Sequence, residues 1–444
     1  MQESKTPVEA TISETTVLAL PRPVVSFFVP SKSKTVLVAD KRGNWLVVDG
    51  IQRNLYDDLA SGRTVGEVLR SIPEAHRSSL LSLLAQIVAR DFFSKEGESI
   101  SAPTPFDSAF LYLTYACNLR CSHCYMYKAR TREAPLTLDE YKRLFEDLAA
   151  QGVKSVTFSG GEPLLHPLFR ELVLAAKERS FTVTVLSNGT KWNESFLSFA
   201  EGNIDEVQIS VDGINEETCS RVRGPEVFEK AVETAISLAK IGVATSVATT
   251  PLTTTVQEID KGYLSFAKRL QEQSAGKIVF RLSSKILDGR DCGRSEEFAS
   301  LASKLANQLY HDNKSRTFSI NHPPNVGLRT CGWGSLAFSP DGFVYPCNRV
   351  DDCAALGSIR RVSVNELLRR ASALSIASDV DHSEPCRKCP LRYLCGGGCR
   401  LDDFEILSEN QERFSVRKPC SEEKKLRLLE TMVETTSYLY SFEK

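Results

Sequence analysis

Hydrophobic and polar positions divide the 444-residue chain into three stretches of different rhythm. From about residue 16 to 95, short β-rich runs come first: VVSFFVP, TVLVAD and NWLVVDG. Turn residues separate them (Ser31, Lys32 and Ser33, then Lys41, Arg42 and Gly43), which predicts a three-stranded meander. Helical patterns follow in IQRNLYDDLASG, TVGEVLRSI and SSLLSLLAQIVARDFF. Thr64 with Glu67 three residues on predicts a capping box at the second helix, and Pro73 ends it. The stretch SKEGESISAPTP, 94 to 105, is polar with two prolines and reads as a linker.

From 107 to 315 strand and helix patterns alternate six times. The strand runs are AFLYLTYAC, SVTFSG, FTVTVLSNG, EVQISVDG, ATSVATTP and KIVFRLSSK. Helical runs such as LTLDEYKRLFEDLAAQG and PEVFEKAVETAISLAKIG lie between them. In the latter, Phe228, Ala231, Ala235 and Leu238 recur at helical spacing, with Gly242 at the end. Such alternation predicts an α/β unit with a parallel sheet covered by helices. Six units fall short of the eight of a closed barrel, so an open, partial (β/α)6 barrel is expected. Sites in such sheets lie at the strand C-terminal ends, and Cys117 closes the first run. From 316 to 425 periodicity weakens; a helix is predicted over roughly 421 to 440, with 426 to 444 as terminal helix and tail.

A formal net charge of -1 gives no reason to expect nucleic acid or a membrane surface as partner. No apolar run approaches the ~18 residues of a membrane span. The start, MQESKTPVEATISETT, lacks a signal peptide's basic and apolar regions, so a cytoplasmic location is expected. Cysteine changes the picture. There are 13, none before residue 117, and eight between 331 and 420. An odd number in a reducing compartment points to metal ligands or catalytic groups before disulfides.

In CNLRCSHCYM, 117 to 126, three cysteines stand at C-x3-C-x2-C. Cubane iron–sulfur clusters take four thiolates, so this loop would leave one iron open. Zinc would need a fourth protein ligand, and His123 is awkwardly placed inside the loop to supply it. Purely structural cysteines are the third reading. Later come Cys331, Gly342 and Cys347, then CRKCPLRYLCGGGC with Cys386, Cys389, Cys395 and Cys399, and finally Cys420. Alone, Cys386 and Cys389 would suit a zinc ribbon. Cys219 and Cys292 fall outside every motif and read as packing residues. SGGEP follows the second strand run, LSNG ends the third, ISVDG the fourth, and Arg223 sits in RVRG. The plainer reading of these is turns, helix caps and a surface arginine.

Taken together, the cysteine loop after the first strand and SGGEP after the second resemble the radical S-adenosylmethionine (SAM) superfamily. The resemblance implies a [4Fe–4S] cluster on Cys117, Cys121 and Cys124, its open iron chelated by SAM. It implies SAM contacts from Gly160, Gly161 and Glu162, from Ser187, Asn188 and Ser210, and from Arg223 at the carboxylate. The later cysteines resemble the SPASM extension of peptide-modifying members, which carries two auxiliary clusters. Carried over, Cys331, Cys347 and Cys399 would hold the first, and Cys386, Cys389, Cys395 and Cys420 the second. Some relatives add a fourth cysteine upstream to the first cluster; residues 316 to 330 have none, and Cys353 is the local candidate.

The N-terminal order of strands and helices is similar to the winged-helix-like α+β peptide-recognition (PqqD-like) domain of many peptide maturases. An exposed sheet edge there would take a leader peptide as an added strand. The implied whole is a maturase with three [4Fe–4S] clusters and SAM, acting on a precursor peptide with a leader. It would receive electrons from a flavodoxin- or ferredoxin-type donor and form a thioether or carbon–carbon link through a 5'-deoxyadenosyl radical. Two rivals stand beside it: a formylglycine-forming sulfatase maturase, and a non-catalytic electron carrier or peptide-binding scaffold.

Overall fold

The computed structural model describes residues 12–39, 43–94, 107–283, 289–292, 301, 304–305, 329–331, 333, 335–350, 353–409 and 412–439. The expected linker, 94 to 105, lies outside them apart from Ser94, as do Lys41, Arg42 and the 315/316 boundary.

Strands β1 (Val25–Val29), β2 (Lys34–Ala39) and β3 (Asn44–Val48) form an antiparallel meander in that order. Helices α1 (Gly50–Ala60), α2 (Val65–Ser71) and α3 (Arg77–Ala89) follow. At α2, Thr64 Oγ1 accepts from Glu67 N (3.2 Å) while Glu67 Oε2 accepts from Thr64 N (2.8 Å), so two otherwise orphaned donors are satisfied. Strand alternation gives this sheet two apolar faces. Leu37, Leu46 and Val48 pack under the helices with Leu55, Leu59 and Leu83. Val36, Val38, Trp45 and Val47 face the other way.

Six strands of the central unit are parallel and neighbour one another in chain order: β4 (Ser108–Thr114), β5 (Ser155–Gly160), β6 (Thr182–Ser187), β7 (Glu206–Ser210), β8 (Ala244–Thr249) and β9 (Ile278–Leu282). Between them run α4 (Leu138–Ala150), α5 (Phe169–Glu178), α6 (Glu194–Ala200), α7 (Glu216–Arg223), α8 (Phe228–Lys240) and α9 (Val256–Gln273). Residues such as Leu111, Phe158, Val185, Ile209, Phe145 and Leu238 join sheet and helices in one buried core. The first strand ends at Thr114, three residues before Cys117, so the cysteines stand on a loop beyond the sheet edge.

The sheet does not stop at six strands. β10 (Leu336–Phe338) pairs parallel to β4, with Leu336 beside Ala109. β11 (Phe343–Tyr345) and β12 (Gly357–Ser358) then add antiparallel, giving an open nine-stranded sheet. Asp341, buried in the β10–β11 turn, accepts the amides of Arg132 (2.5 Å) and Glu133 (3.2 Å). Arg360 bonds Glu140 of α4 (2.6 Å) and holds that carboxyl down to about 2. Beyond lie α10 (Val364–Ala377), the hairpin β13 (Phe404–Glu409) and β14 (Glu412–Arg417), and α11 (Glu422–Leu439). That last helix falls where one was expected, over roughly 421 to 440.

α11 lies on the second face of the meander. Leu429 and Met432, with Leu391 and Leu394 from the cysteine-rich loop, bury Val36, Val38, Trp45 and Val47. Lys32 pairs with Glu434 (2.8 Å), and Ser31 donates to Glu430 (2.6 Å). The N-terminal meander is therefore docked on the C-terminal unit through an apolar face. Met432→Ala, at a fully buried site, should cost about 2–5 kcal/mol locally. Hydrogen exchange is expected to rise in residues 25–39 and 44–48 and to stay unchanged in β5 to β8.

Candidate functional site

The loop after β4 is built against the loop after β5. Gly161 N donates to Thr114 O (2.8 Å), and Glu162 N donates to Ala116 O (2.9 Å). A Cβ on Gly160 would meet the Thr114 oxygen at 2.2 Å, and one on Gly161 the Ala116 oxygen at 2.2 Å. Both glycines are thus required by the close approach of two backbones, which places SGGEP under the start of the cysteine loop.

Glu162 is fully buried and braces the next strand end. Its carboxyl accepts from Ser187 Oγ (2.9 Å) and Asn188 N (2.8 Å), and from Leu164 N (3.4 Å). Burial nonetheless outweighs these bonds and pushes the carboxyl up to about 7. Ser187 is engaged on all sides, since its hydroxyl also accepts from Gly189 N (3.1 Å) and Trp192 Nε1 (3.0 Å). Asn188 Nδ2 donates to Asn118 Oδ1 (3.1 Å) and reaches Cys117 Sγ at 3.9 Å. Ser210, half-buried in β7, makes no side-chain hydrogen bond among the described residues.

Two residues that the sequence offered only through the ISVDG match and inside the cysteine loop take on a defined place in the site. Asp212, 1% exposed beyond β7, accepts from Arg223 Nε (2.6 Å) and Thr250 N (2.7 Å) and pairs with His123 Nε2 (3.2 Å). Arg223 in turn reaches Cys121 Sγ at 3.9 Å. The ISVDG run and His123 inside the cysteine loop were the available signals, but only folding joins them. This buried network fixes the loop at its second cysteine, as Asn188 does at its first.

The later cysteines gather in two neighbourhoods. Cys399 stands beside Cys331 and acts on Cys347. Cys386 neighbours Cys389, and Cys395 feels Cys420 and Cys386. Cys353 Sγ donates to Arg349 O (3.3 Å) and packs with Tyr112, Tyr125 and Val350. Tyr112 of β4 donates to Asn348 O and bonds Tyr125 (3.1 Å), bridging the two cysteine-bearing loops. Cys219 is buried in the central core, and Cys292 packs near Val222 and Leu252.

Bound iron fits this donor set. Burial pushes Cys121 up to about 11 and raises Cys117, Cys386 and Cys395, so the thiols stay protonated unless a cation holds the thiolates. Cations stand by the sulfurs: buried Arg223 at Cys121, half-buried Arg349 at Cys399 (3.5 Å), and buried Arg417 at Cys386. His123 Nδ1 is buried with no hydrogen-bond partner. Among the described residues no three His, Cys, Asp or Glu side chains converge on a single ion.

Residues 111–261 match the Radical SAM superfamily model, and residues 330–390 match an iron–sulfur cluster-binding domain, SPASM. The chain is 26% identical over 330 residues to the antilisterial bacteriocin subtilosin biosynthesis protein AlbA of Bacillus subtilis, covering 72% of this chain and 71% of AlbA. It is 27% identical over 296 residues to the sporulation killing factor maturation protein SkfB of the same organism, covering 64% and 70%. In fold it is similar to Streptococcus suis SuiB bound to the precursor peptide SuiA, at TM-score 0.55 and 12% identity, over 88% of this chain and 96% of that one. It is also similar to anSMEcpe with bound AdoMet, at TM-score 0.56 and 20% identity, over 74% and 96%. Among the described residues no helix is long and apolar enough to cross a membrane.

Two outcomes follow from this geometry. Glu162 has a raised folded value, so its contribution is present below the ordinary value of 4.5 and is lost as pH rises through about 7. Relative to Glu162→Gln, the wild type should lose on the order of 3 kcal/mol of stability across that window, read by denaturant unfolding at pH 4.5 to 8. Asp212→Ala leaves Arg223 and His123 without their anion and should cost about 3–5 kcal/mol. Its signature is faster alkylation of Cys121, followed by mass spectrometry.

Proposed function

This chain is a radical SAM enzyme with a SPASM extension, and on that premise we propose that it matures a ribosomally made precursor peptide by hydrogen abstraction and oxidative cross-linking. The observation that carries the reading is the joining of two cysteine-rich regions on one sheet. β10 lies directly beside β4, so the SPASM cysteines are built onto the strand that delivers Cys117. SkfB, named for maturation of the sporulation killing factor, and AlbA, named for biosynthesis of the bacteriocin subtilosin, support it.

Cys117, Cys121 and Cys124 would hold the SAM-binding cluster. Cys331, Cys347 and Cys399 would hold one auxiliary cluster, and Cys386, Cys389, Cys395 and Cys420 the other. With SAM and an electron from a flavodoxin- or ferredoxin-type donor, a cluster held there would supply the radical chemistry for hydrogen abstraction from an unactivated carbon. The chain's own work is placement. Asn188 and Arg223 set the first two cysteines, and Glu162 locks the loop that carries Gly160 and Gly161 beneath them. Arg223 is the candidate cation for the SAM carboxylate, with Asp212 fixing its orientation. Asn188 and Ser210 are the candidates for ribose contacts. Ser187 acts through Glu162.

The meander would receive the leader. The outer edge of β3 runs beside α3, where Gln86 Oε1 accepts from Val47 N (3.3 Å). A peptide strand added there would take over that amide. Docking of the meander on α11 and the cysteine-rich loop would hold a bound leader near the catalytic unit. The enzyme would work in the cytoplasm, where reduced donors are available.

Anaerobically reconstituted protein is expected to hold about 12 irons, four for each of three cubanes. It should release 5'-deoxyadenosine from SAM with dithionite. Replacing Cys117, Cys121 and Cys124 by Ala should abolish that release and remove about four irons. Undiminished release from the triple variant would end the assignment of this loop. Turnover of a sulfatase peptide in preference to leader-bearing peptides would favour the formylglycine-forming alternative.

A further inference from the structure

The run CGGGCR, 395–400, places an arginine directly after the glycine loop, and no step above uses it. Arg400 is 1% exposed. Four backbone carbonyls hold its guanidinium: Nη1 donates to Gly396 (2.5 Å) and Gly398 (2.7 Å), and Nη2 donates to Arg329 (3.1 Å) and Ser378. Phe404 lies against it, 4.5 Å from the ring centre. Gly396, Gly397 and Gly398 have φ of 60°, 78° and 82°, the left-handed region that favours glycine. A Cβ on Gly397 would stand 3.0 Å from Nη1. The glycine loop is thus wrapped around one cation, which also ties down the approach to Cys331 and the end of α10 before Cys386.

Carbonyls orient a cation but carry no net charge. Around it, Arg329 pairs with Asp379 (2.5 Å) and Asp381 (3.2 Å), and Arg392 shares Asp381 (3.3 Å). Asp379 and Asp381 are thus both engaged by neighbouring guanidinium groups. Among the described residues no carboxylate comes within ion-pair distance of Arg400 itself; Asp379 acts on it while paired with Arg329. The other groups acting on it that can carry negative charge are the sulfurs of Cys331, Cys386 and Cys395. A buried charge needs an anion.

We propose that Arg400 is the shared counter-charge of both auxiliary clusters: one fixed cation, between Cys331 of one sulfur set and Cys386 and Cys395 of the other, that positions their loops and makes each cluster easier to reduce. This rests on the reading that the seven cysteines hold two clusters. Arg400 acts through the ligands and is a positioning residue. Reduction adds one electron to a cluster, and a nearby positive charge stabilises the more negative reduced form, so the midpoint potential rises. No bond or proton changes at the arginine.

The test compares full-length wild type, Arg400→Gln and Arg400→Lys after anaerobic reconstitution. Iron per chain is counted, and midpoints are read by EPR during reductive titration with dithionite. A wild type with only about four irons would end the two-cluster reading and this proposal with it. With auxiliary iron present, Arg400→Gln should lower both auxiliary midpoints or lose auxiliary iron. The cluster on Cys117, Cys121 and Cys124 should keep its midpoint. Arg400→Lys keeps the charge without the fork of bonds and should stay nearer wild type. Unchanged auxiliary iron and midpoints in Arg400→Gln would overturn the proposal, as would a shift confined to one auxiliary cluster. Equal shifts in the Gln and Lys variants would also overturn it. If Arg400→Gln does not fold, Arg400→Lys decides: auxiliary iron and midpoints near wild type support the proposal, and their loss overturns it.

Discussion

The strand β4 has a partner on each edge, and everything functional in the molecule is arranged around that fact. On one edge β5 delivers the loop in which Gly160 and Gly161 lie against Thr114 and Ala116. On the other, β10 brings in a hairpin from more than two hundred residues later in the chain. A parallel pair of strands shares one direction, so the loops that follow them emerge at one end of the sheet. That places the β10–β11 turn beside the loop after β4, where Asp341 takes the amides of Arg132 and Glu133; β11 then runs back antiparallel toward Cys347, and Tyr112 ties the two segments together through Tyr125 and the Asn348 carbonyl. Without the β4–β10 pairing, the chain would carry two cysteine-rich regions with no fixed relation.

Electrostatics give this arrangement its chemical character. Burial holds the thiols of Cys121 and Cys386 above their ordinary values, and guanidinium groups stand near sulfur at Cys121, Cys386 and Cys399. At the first loop, Asp212 balances Arg223. In the C-terminal unit Asp403 receives both Lys424 and the more distant Arg417 (3.8 Å), and among the described residues the hydrogen bonds of the Arg400 guanidinium all go to backbone carbonyls. Leaving such cations uncompensated is costly in a low dielectric, and anionic clusters on the sulfurs would supply the missing charge.

The N-terminal meander is not an appendage. A sheet with two apolar faces must cover both, and here α1 and α3 cover one while α11 and the cysteine-rich loop cover the other. Leu391 and Leu394 sit between Cys389 and Cys395, so the residues that dock the meander are continuous with a cysteine loop. Order in that loop and docking of the meander are thus coupled through shared packing.

The sequence by itself determined the elements and the local motifs. Strand runs such as SVTFSG, the Thr64–Glu67 cap and the C-x3-C-x2-C loop depend on contacts within a few residues, so spacing reveals them. It also pointed to a six-unit parallel sheet and to sites at strand ends. What only the tertiary structure decided are contacts between distant segments. Nothing local in ISVDG announces that Asp212 receives both Arg223 and His123, nor in CGGGCR that the arginine reaches Arg329 and Ser378. Ser187 reads as free for a ligand, yet it is spent on Glu162 and Trp192. An amphipathic pattern shows that a face will be buried and leaves its partner open. The free edge of β4 and the second face of the meander found theirs through shape and charge, which only the folded chain contains.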